Sequence, residues 1–178
     1  MTLIDKKSVE LLAPAGTWDA FTVAIDAGAN AVYLGGKHFN MRVHRNEFNF
    51  DDDELRRAID YAHERNVKLY ITINNLISDE ELPALENYLT FLADIKPDAV
   101  LVQDFAVVKL IRDMHLDLPM HASIMMNIHN APAIETLKTF GITRVVVSRE
   151  LSLAQVQLLK LQPGIETEYI VHGDMCIS

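Results

Sequence analysis

Seven short apolar runs, all but the last followed by a longer stretch of helical spacing, constrain this chain more than any other feature of it. The runs lie near 9–13 (VELLA), 31–35 (AVYLG), 67–73 (VKLYITI), 99–103 (AVLVQ), 119–123 (PMHAS), 143–147 (TRVVV) and 166–171 (ETEYIV). Helical spacing follows near 17–28, 51–66, 79–95, 104–114, 130–140 and 152–161. Asp51, Asp52 and Asp53 place negative charge at the positive end of the second helix. Ser78 and Glu81 have capping-box spacing, and Gly28, Gly141 and Gly164 stand where helices stop. Strands apolar on both faces and separated by helices imply a parallel sheet covered by helices.

Two architectures contain that repeat. A doubly wound nucleotide-binding sheet carries a Gly-rich turn after its first strand. Here that turn is Ala13-Pro14-Ala15-Gly16, and Pro14 lacks the backbone donor a phosphate would use. A (β/α)8 barrel takes about 250 residues, and 178 residues with seven strands and six helices match one cut before closure. The expectation is an α/β fold, an incomplete TIM-type (β/α)8 barrel, forming a single domain over 1–178. An unclosed barrel exposes strand edges, which predicts self-association through the open edge or a partner that covers it.

Bulk properties narrow the class. The formal net charge of −9 argues against a broadly basic, nucleic-acid-coating surface but permits a local basic patch. One cysteine, Cys176, cannot form an internal disulfide, which fits a reducing cytoplasm. No apolar run approaches the roughly 20 residues that cross a bilayer, so no membrane partner is expected.

Barrel enzymes gather their reactive groups at the C-terminal ends of strands. Those ends carry Gly35 and Gly36, Asn74 and Asn75, Gln103 and Asp104, Ser123 and Asn127, Ser148-Arg149-Glu150, and His172. The loop GGKHFNMRVHRNEFNF (35–50) is the most unusual segment, with Lys37, Arg42 and Arg45 ahead of its first acid, Glu47. A cationic and aromatic loop on that face suits a phosphate or base contact; the alternative is a solvated loop anchored by its Phe residues. H-E-x-x-H fails at His63-Glu64-Arg65-Asn66-Val67, and no G-x-S-x-G elbow occurs. Cys176 reads by default as an inert buried thiol; as a nucleophile it would need His172 as its base.

ELLAPAG (10–16), GANAVYLGG (28–36), FNMR (39–42), YAHERNVKLYITIN (61–74), VSRELSL (147–153) and VHGDMCIS (171–178) resemble the N-terminal part of peptidase family U32, the collagenase-like protease family. The similarity runs along essentially the whole chain, and VSRELSL and VHGDMCIS carry it most specifically. The resemblance implies a barrel core that continues past residue 178, making this a fragment inactive by itself. Several relatives act in hydroxylation of RNA and hold an iron–sulfur cluster on four cysteines. The resemblance places the first of these on Cys176 and, in the tRNA branch, adds prephenate as cosubstrate. Ser123-Ile124-Met125-Met126-Asn127 departs from the S-T-Q seen in many relatives, which marks a sub-branch of different substrate or a non-catalytic member of a pair.

The leading expectation is therefore an enzyme of RNA modification, supporting 5-hydroxylation of tRNA wobble uridine in the cytoplasm. Lys37, Arg42, Arg45, Asn74 and Gln103 are its candidate substrate-binding residues. Arg149, Glu150 and His172 are the candidate catalytic ones, and Cys176 the metal ligand. A collagenase-like peptidase is the alternative, and a non-catalytic substrate-binding subunit paired with a second U32 subunit is the third reading.

Overall fold

A computed structural model describes residues 9–173, so Cys176 lies outside the described residues. The strands are β1 (Leu12–Pro14), β2 (Ala31–Gly35), β3 (Lys68–Ile73), β4 (Ala99–Val102), β5 (Met120–Ala122), β6 (Ile142–Val146) and β7 (Glu166–Glu168). Between them run α1 (Trp18–Asp26), α2 (Asp52–His63), α3 (Leu82–Ile95), α4 (Phe105–Asp113), α5 (Ala131–Thr139) and α6 (Leu153–Lys160). The strands form one sheet in chain order, every neighbouring pair parallel. Seven parallel strands and six helices thus make a curled, incomplete TIM-type barrel, as the alternation predicts.

Polar caps start the helices and so fix where each C-terminal loop ends. Asp51 accepts from the Glu54 N–H at 2.9 Å while Glu54 accepts from the Asp51 N–H at 2.8 Å, closing a capping box. Thr17, Asp104, Asn130 and Ser152 cap α1, α4, α5 and α6 through their side chains. Ser78 and Glu81 do form the expected box, but it opens a single 3-10 turn (Asp79–Glu81), and α3 begins only at Leu82. The first strand starts three residues later and ends one residue later than the 9–13 run suggests. The Leu11 N–H goes to Asn30 Oδ1 at 2.8 Å rather than into a ladder. The 166–171 run pairs only over Glu166–Glu168.

The outer face of the sheet holds the core: Val32, Leu34, Leu69, Ile71, Ile73, Val100, Val102 and Val145 are buried under the helices. The lumen face corrects the expectation of strands apolar on both sides. In the middle it is apolar, with Ala31, Tyr70, Ala99 and Leu101 packed together beside Leu12 and Tyr33. At the N-terminal end it carries ionic groups centred on Arg144, whose residue is only 7% exposed. Arg144 donates from Nη1 to Glu10 Oε1 at 2.6 Å and from Nε to Glu166 at 2.8 Å. Lys68 Nζ reaches the other Glu10 oxygen at 2.8 Å, and the Tyr70 hydroxyl donates to Glu10 at 2.7 Å.

This cluster proves the curl. Glu10 directly precedes β1 and Arg144 sits on β6, five strand spacings away in sheet order. In a flat sheet they would stand about 24 Å apart, yet they touch. Charges drawn out of water persist only when paired and hydrogen-bonded, and long side chains meeting across a narrow lumen satisfy that condition.

The same cluster sets the response to acid. Burial alone would raise the Glu10 pKa, but hydrogen bonds from Arg144, Lys68 and Tyr70 outweigh it and bring it from 4.5 down to about 2. Burial, reinforced by the Arg144 charge, lowers His121 from 6.5 to about 3. Burial raises Glu168 against the pull of Arg144. Both Glu10 and His121 therefore take up protons more readily unfolded than folded. The His121 contribution is present above pH 6.5 and lost as pH falls toward 3. The Glu10 contribution is present above pH 4.5 and lost as pH falls toward 2. Glu168 works the other way, stabilising at low pH and losing that contribution as pH rises.

Two outcomes follow for urea unfolding. Arg144→Met leaves Glu10 and Glu166 without their shared partner and lowers stability at pH 7 by about 3 kcal/mol. Stability of the unaltered chain starts to fall already below pH 6.5, with a slope approaching about 1.4 kcal/mol per pH unit. His121→Leu removes the part of that fall lying between pH 6.5 and 4.5. An unchanged profile in His121→Leu would refute the assignment.

Candidate functional site

The C-terminal end of the lumen is built from uncharged groups. Alternation along β2 points residues 31, 33 and 35 inward, because Ala31 and Tyr33 belong to the lumen cluster. Gly35 has no side chain to contribute there. A Cβ at that position would lie 3.0 Å from Asn49 Oδ1 and 3.1 Å from the Asn40 carboxamide, so these two asparagines of the 36–50 segment fill the space above it. Asn40 and Asn49 are both buried.

The segment is an excursion tied at its base. Gly36 and Phe50 form a parallel bridge, with the Phe50 N–H on Gly35 O at 2.9 Å and the Lys37 N–H on Phe50 O at 3.0 Å. Asn40 accepts from the Arg42 N–H at 2.8 Å, and the Asn49 amide nitrogen donates to both Arg42 O and Arg45 O at 2.8 Å. Aromatic rings seat it on the barrel. Phe39 packs 5.8 Å from Tyr88 of α3, Phe50 lies 6.3 Å from Phe21 of α1, and Phe48 sits against Gly16.

The approach over Gly36 is closer still. A Cβ there would stand 2.2 Å from the Tyr88 hydroxyl, which is buried without a hydrogen-bond partner. Burial, with the Asp52 charge, raises the Tyr88 pKa and keeps the phenol protonated.

The expected site residues fall into distinct groups. Lys37 is engaged by Asp51 at 3.4 Å, and the Arg45 guanidinium lies 5.8 Å from the Phe48 ring centre. Arg42 is exposed, and its guanidinium has no partner among the described residues. Asn74 reaches the loop, accepting from the Met41 N–H at 3.3 Å. Gln103 follows the inward positions 99 and 101 of β4, and its Oε1 is buried with no partner. Arg149 pairs with Glu150 at 3.5 Å on the rim. His172 is exposed beyond β7, with no partner among the described residues.

Strand-end residues already legible in the sequence complete the rim through contacts that it does not show. Ser148, 4% exposed, bonds to Asn127 at 3.0 Å and to Glu150. That bond, then the Arg149 charge, lowers the Glu150 pKa. Asn127 adopts a left-handed conformation (φ 53°) after the 3-10 turn Ile124–Met126, so the departure from S-T-Q becomes a tight turn that exposes Met125. Carboxamides thus ring the opening from β2 to β5: Asn40, Asn49, Asn74, Gln103 and Asn127.

The sequence profile of peptidase family U32 matches residues 16–178. The chain belongs to peptidase family U32. A tRNA hydroxylation protein P of Helicobacter pylori (strain ATCC 700392 / 26695) is 37% identical over 171 residues, covering 96% of this U32 chain and 40% of that protein. The 23S rRNA 5-hydroxycytidine synthase of Escherichia coli (strain K12) is 30% identical over 178 residues, covering 98% of the chain and 26% of that protein. The chain thus spans less than half the length of these curated relatives. The solved structure of a U32 peptidase superposes with a TM-score of 0.71 at 14% identity, covering 95% of this chain and 71% of that one, and supports the barrel fold.

Gly36→Ala should cost about 1–3 kcal/mol through the clash with Tyr88. Tyr88→Phe alone removes an unpartnered hydroxyl and should be near neutral. Combined with Gly36→Ala it should recover more than half the loss, as read by thermal unfolding of the four-member cycle. Strict additivity would show that the two positions do not collide.

Proposed function

We propose that this chain is the substrate-binding core of a U32 enzyme that hydroxylates RNA, taking uridine at the tRNA wobble position in the cytoplasm. The observation that carries the reading is the set of carboxamides at the C-terminal opening together with an unpartnered cation, Arg42, on the loop beside it. Carboxamides suit the edge of a base turned out of a strand, and the cation suits the phosphate beside it. The match to a tRNA hydroxylation protein over nearly the whole chain supports it.

Hydroxylation needs redox chemistry that side chains do not provide. An iron–sulfur cluster would supply it in the longer protein, with Cys176 as one ligand and prephenate as cosubstrate. The described residues alone do not fit a metal centre, since no three His, Cys, Asp or Glu side chains among them come together. This chain by itself is therefore expected to bind RNA without turning it over. Arg149 and Glu150 orient the substrate at the β6 rim. The peptidase alternative predicts no selective RNA binding by this face, whereas the partnered non-catalytic subunit would bind substrate but need its second subunit for turnover.

Fluorescence titration with an anticodon stem–loop RNA across a salt series tests the reading. Arg42→Ala should weaken binding several-fold and lower the salt slope by about one. Lys37→Ala, whose ammonium already has Asp51, should change both much less. Absence of RNA binding, or equal losses in the two variants, would overturn it.

A further inference from the structure

Two buried carboxamide oxygens at the C-terminal end of the lumen have no donor among the described residues. Asn49 Oδ1 is one of them. Its orientation is set, because the amide nitrogen of the same group is committed to two backbone carbonyls, Arg42 O and Arg45 O. Asn49 is 7% exposed, so water does not freely satisfy the oxygen. It stands where an inward-pointing Cβ on Gly35 would press against it, which places it on the lumen side of β2.

Gln103 Oε1 is the second. Gln103 continues the inward register of Ala99 and Leu101 on β4. One strand, β3, separates the two positions, so they stand about 10 Å apart along the sheet. Beneath the gap lies Thr72, whose hydroxyl is turned to Leu34 O at 3.3 Å and so is not available as a donor to either.

Buried acceptors are nearly always satisfied, so each of these two calls for a donor. Two acceptors of neutral type, in an opening ringed by amides, call for an uncharged ligand that brings its own donors. Phosphate and carboxylate bring none. A nucleoside brings two kinds, an N–H on the base and hydroxyls on the sugar, separated along its length.

We infer that Gln103 and Asn49 form a specificity subsite that accepts hydrogen bonds from a nucleoside, one from the base N–H and the other from a ribose hydroxyl. The inference rests on the RNA-binding reading and deepens it: phosphate contact at Arg42 gives affinity, and these two oxygens tell one nucleoside from another. A site built to receive a donor rejects an analogue lacking it far more strongly than an apolar pocket rejects a methyl group. Gly35 lacks the Cβ that would press on the second acceptor.

The test uses three anticodon-loop RNAs differing at one nucleotide: uridine, 3-methyluridine, which lacks the base N–H, and 2′-deoxyuridine, which lacks the sugar hydroxyl. Equilibrium dissociation constants are measured for the unaltered chain, Gln103→Met and Gly35→Ala. The unaltered chain should bind at least one of the modified RNAs tenfold or more weakly than the uridine RNA. Gln103→Met, similar in shape but without the acceptor, should bind the uridine RNA more weakly and become indifferent to one of the two modifications. Gly35→Ala, which crowds Asn49 Oδ1, should become indifferent to the other. Far-ultraviolet circular dichroism and thermal unfolding verify that both variants are folded. If Gln103→Met is not, Gln103→Leu replaces it; if Gly35→Ala is not, Asn49→Ser, which deletes the same acceptor without adding bulk, replaces it in the same titration.

Equal affinity of the unaltered chain for all three RNAs refutes the subsite while leaving RNA binding through Arg42 intact. Discrimination that survives in both variants refutes the assignment to these residues. Failure to bind any of the RNAs removes the functional reading and the subsite with it.

Discussion

One guanidinium holds the two ends of this sheet in register with each other. Arg144, on β6, reaches through the lumen to Glu10 beside β1, and neither strand is a hydrogen-bonding neighbour of the other. Backbone ladders fix each strand against the next but leave the total curvature of an unclosed sheet soft. The contact across the lumen adds a long-range constraint that ladders lack, and Glu166, Tyr70 and Lys68 tie into the same point. The opposite opening inherits its shape from this. The loops after β2, β3 and β4 converge only as far as the strands beneath them are drawn inward.

The lumen is consequently polar at both ends for opposite reasons. At the N-terminal end charge is satisfied internally, carboxylate against guanidinium and ammonium, and the group left neutral by burial is His121. At the C-terminal end the polar groups are amides and hydroxyls, and two of them are unsatisfied. Between the two lies an apolar layer of Leu12, Tyr33, Ala99 and Leu101 that insulates one from the other.

The strand–helix alternation was enough to read the barrel, because five of the six helices start at a capping side chain whose signal is local, Asp51 and Ser152 among them. The gathering of polar groups at strand ends was equally legible from the order of elements. The ionic cluster was not. Its members Glu10 and Arg144 are separated by 134 positions, and a lone arginine in ITRVV reads as a surface residue of a strand. A signal did exist in KLYITI, where Lys68, Tyr70 and Thr72 alternate with aliphatic residues and so share one face. The 36–50 loop was read by its cations, yet its asparagines matter more to its shape, since Asn40 and Asn49 make the backbone bonds that fold it. Their role needed coordinates because Asn in a loop is usually only a turn former.

The base of that loop has an evolutionary implication. The Gly36–Phe50 bridge, together with the rings of Phe39 and Phe48, anchors the segment independently of its tip. Residues 43–47 touch the barrel little and can be exchanged as a cassette while the scaffold stays put. Such modularity offers a physical route by which one scaffold diversifies what its rim contacts without rebuilding its interior.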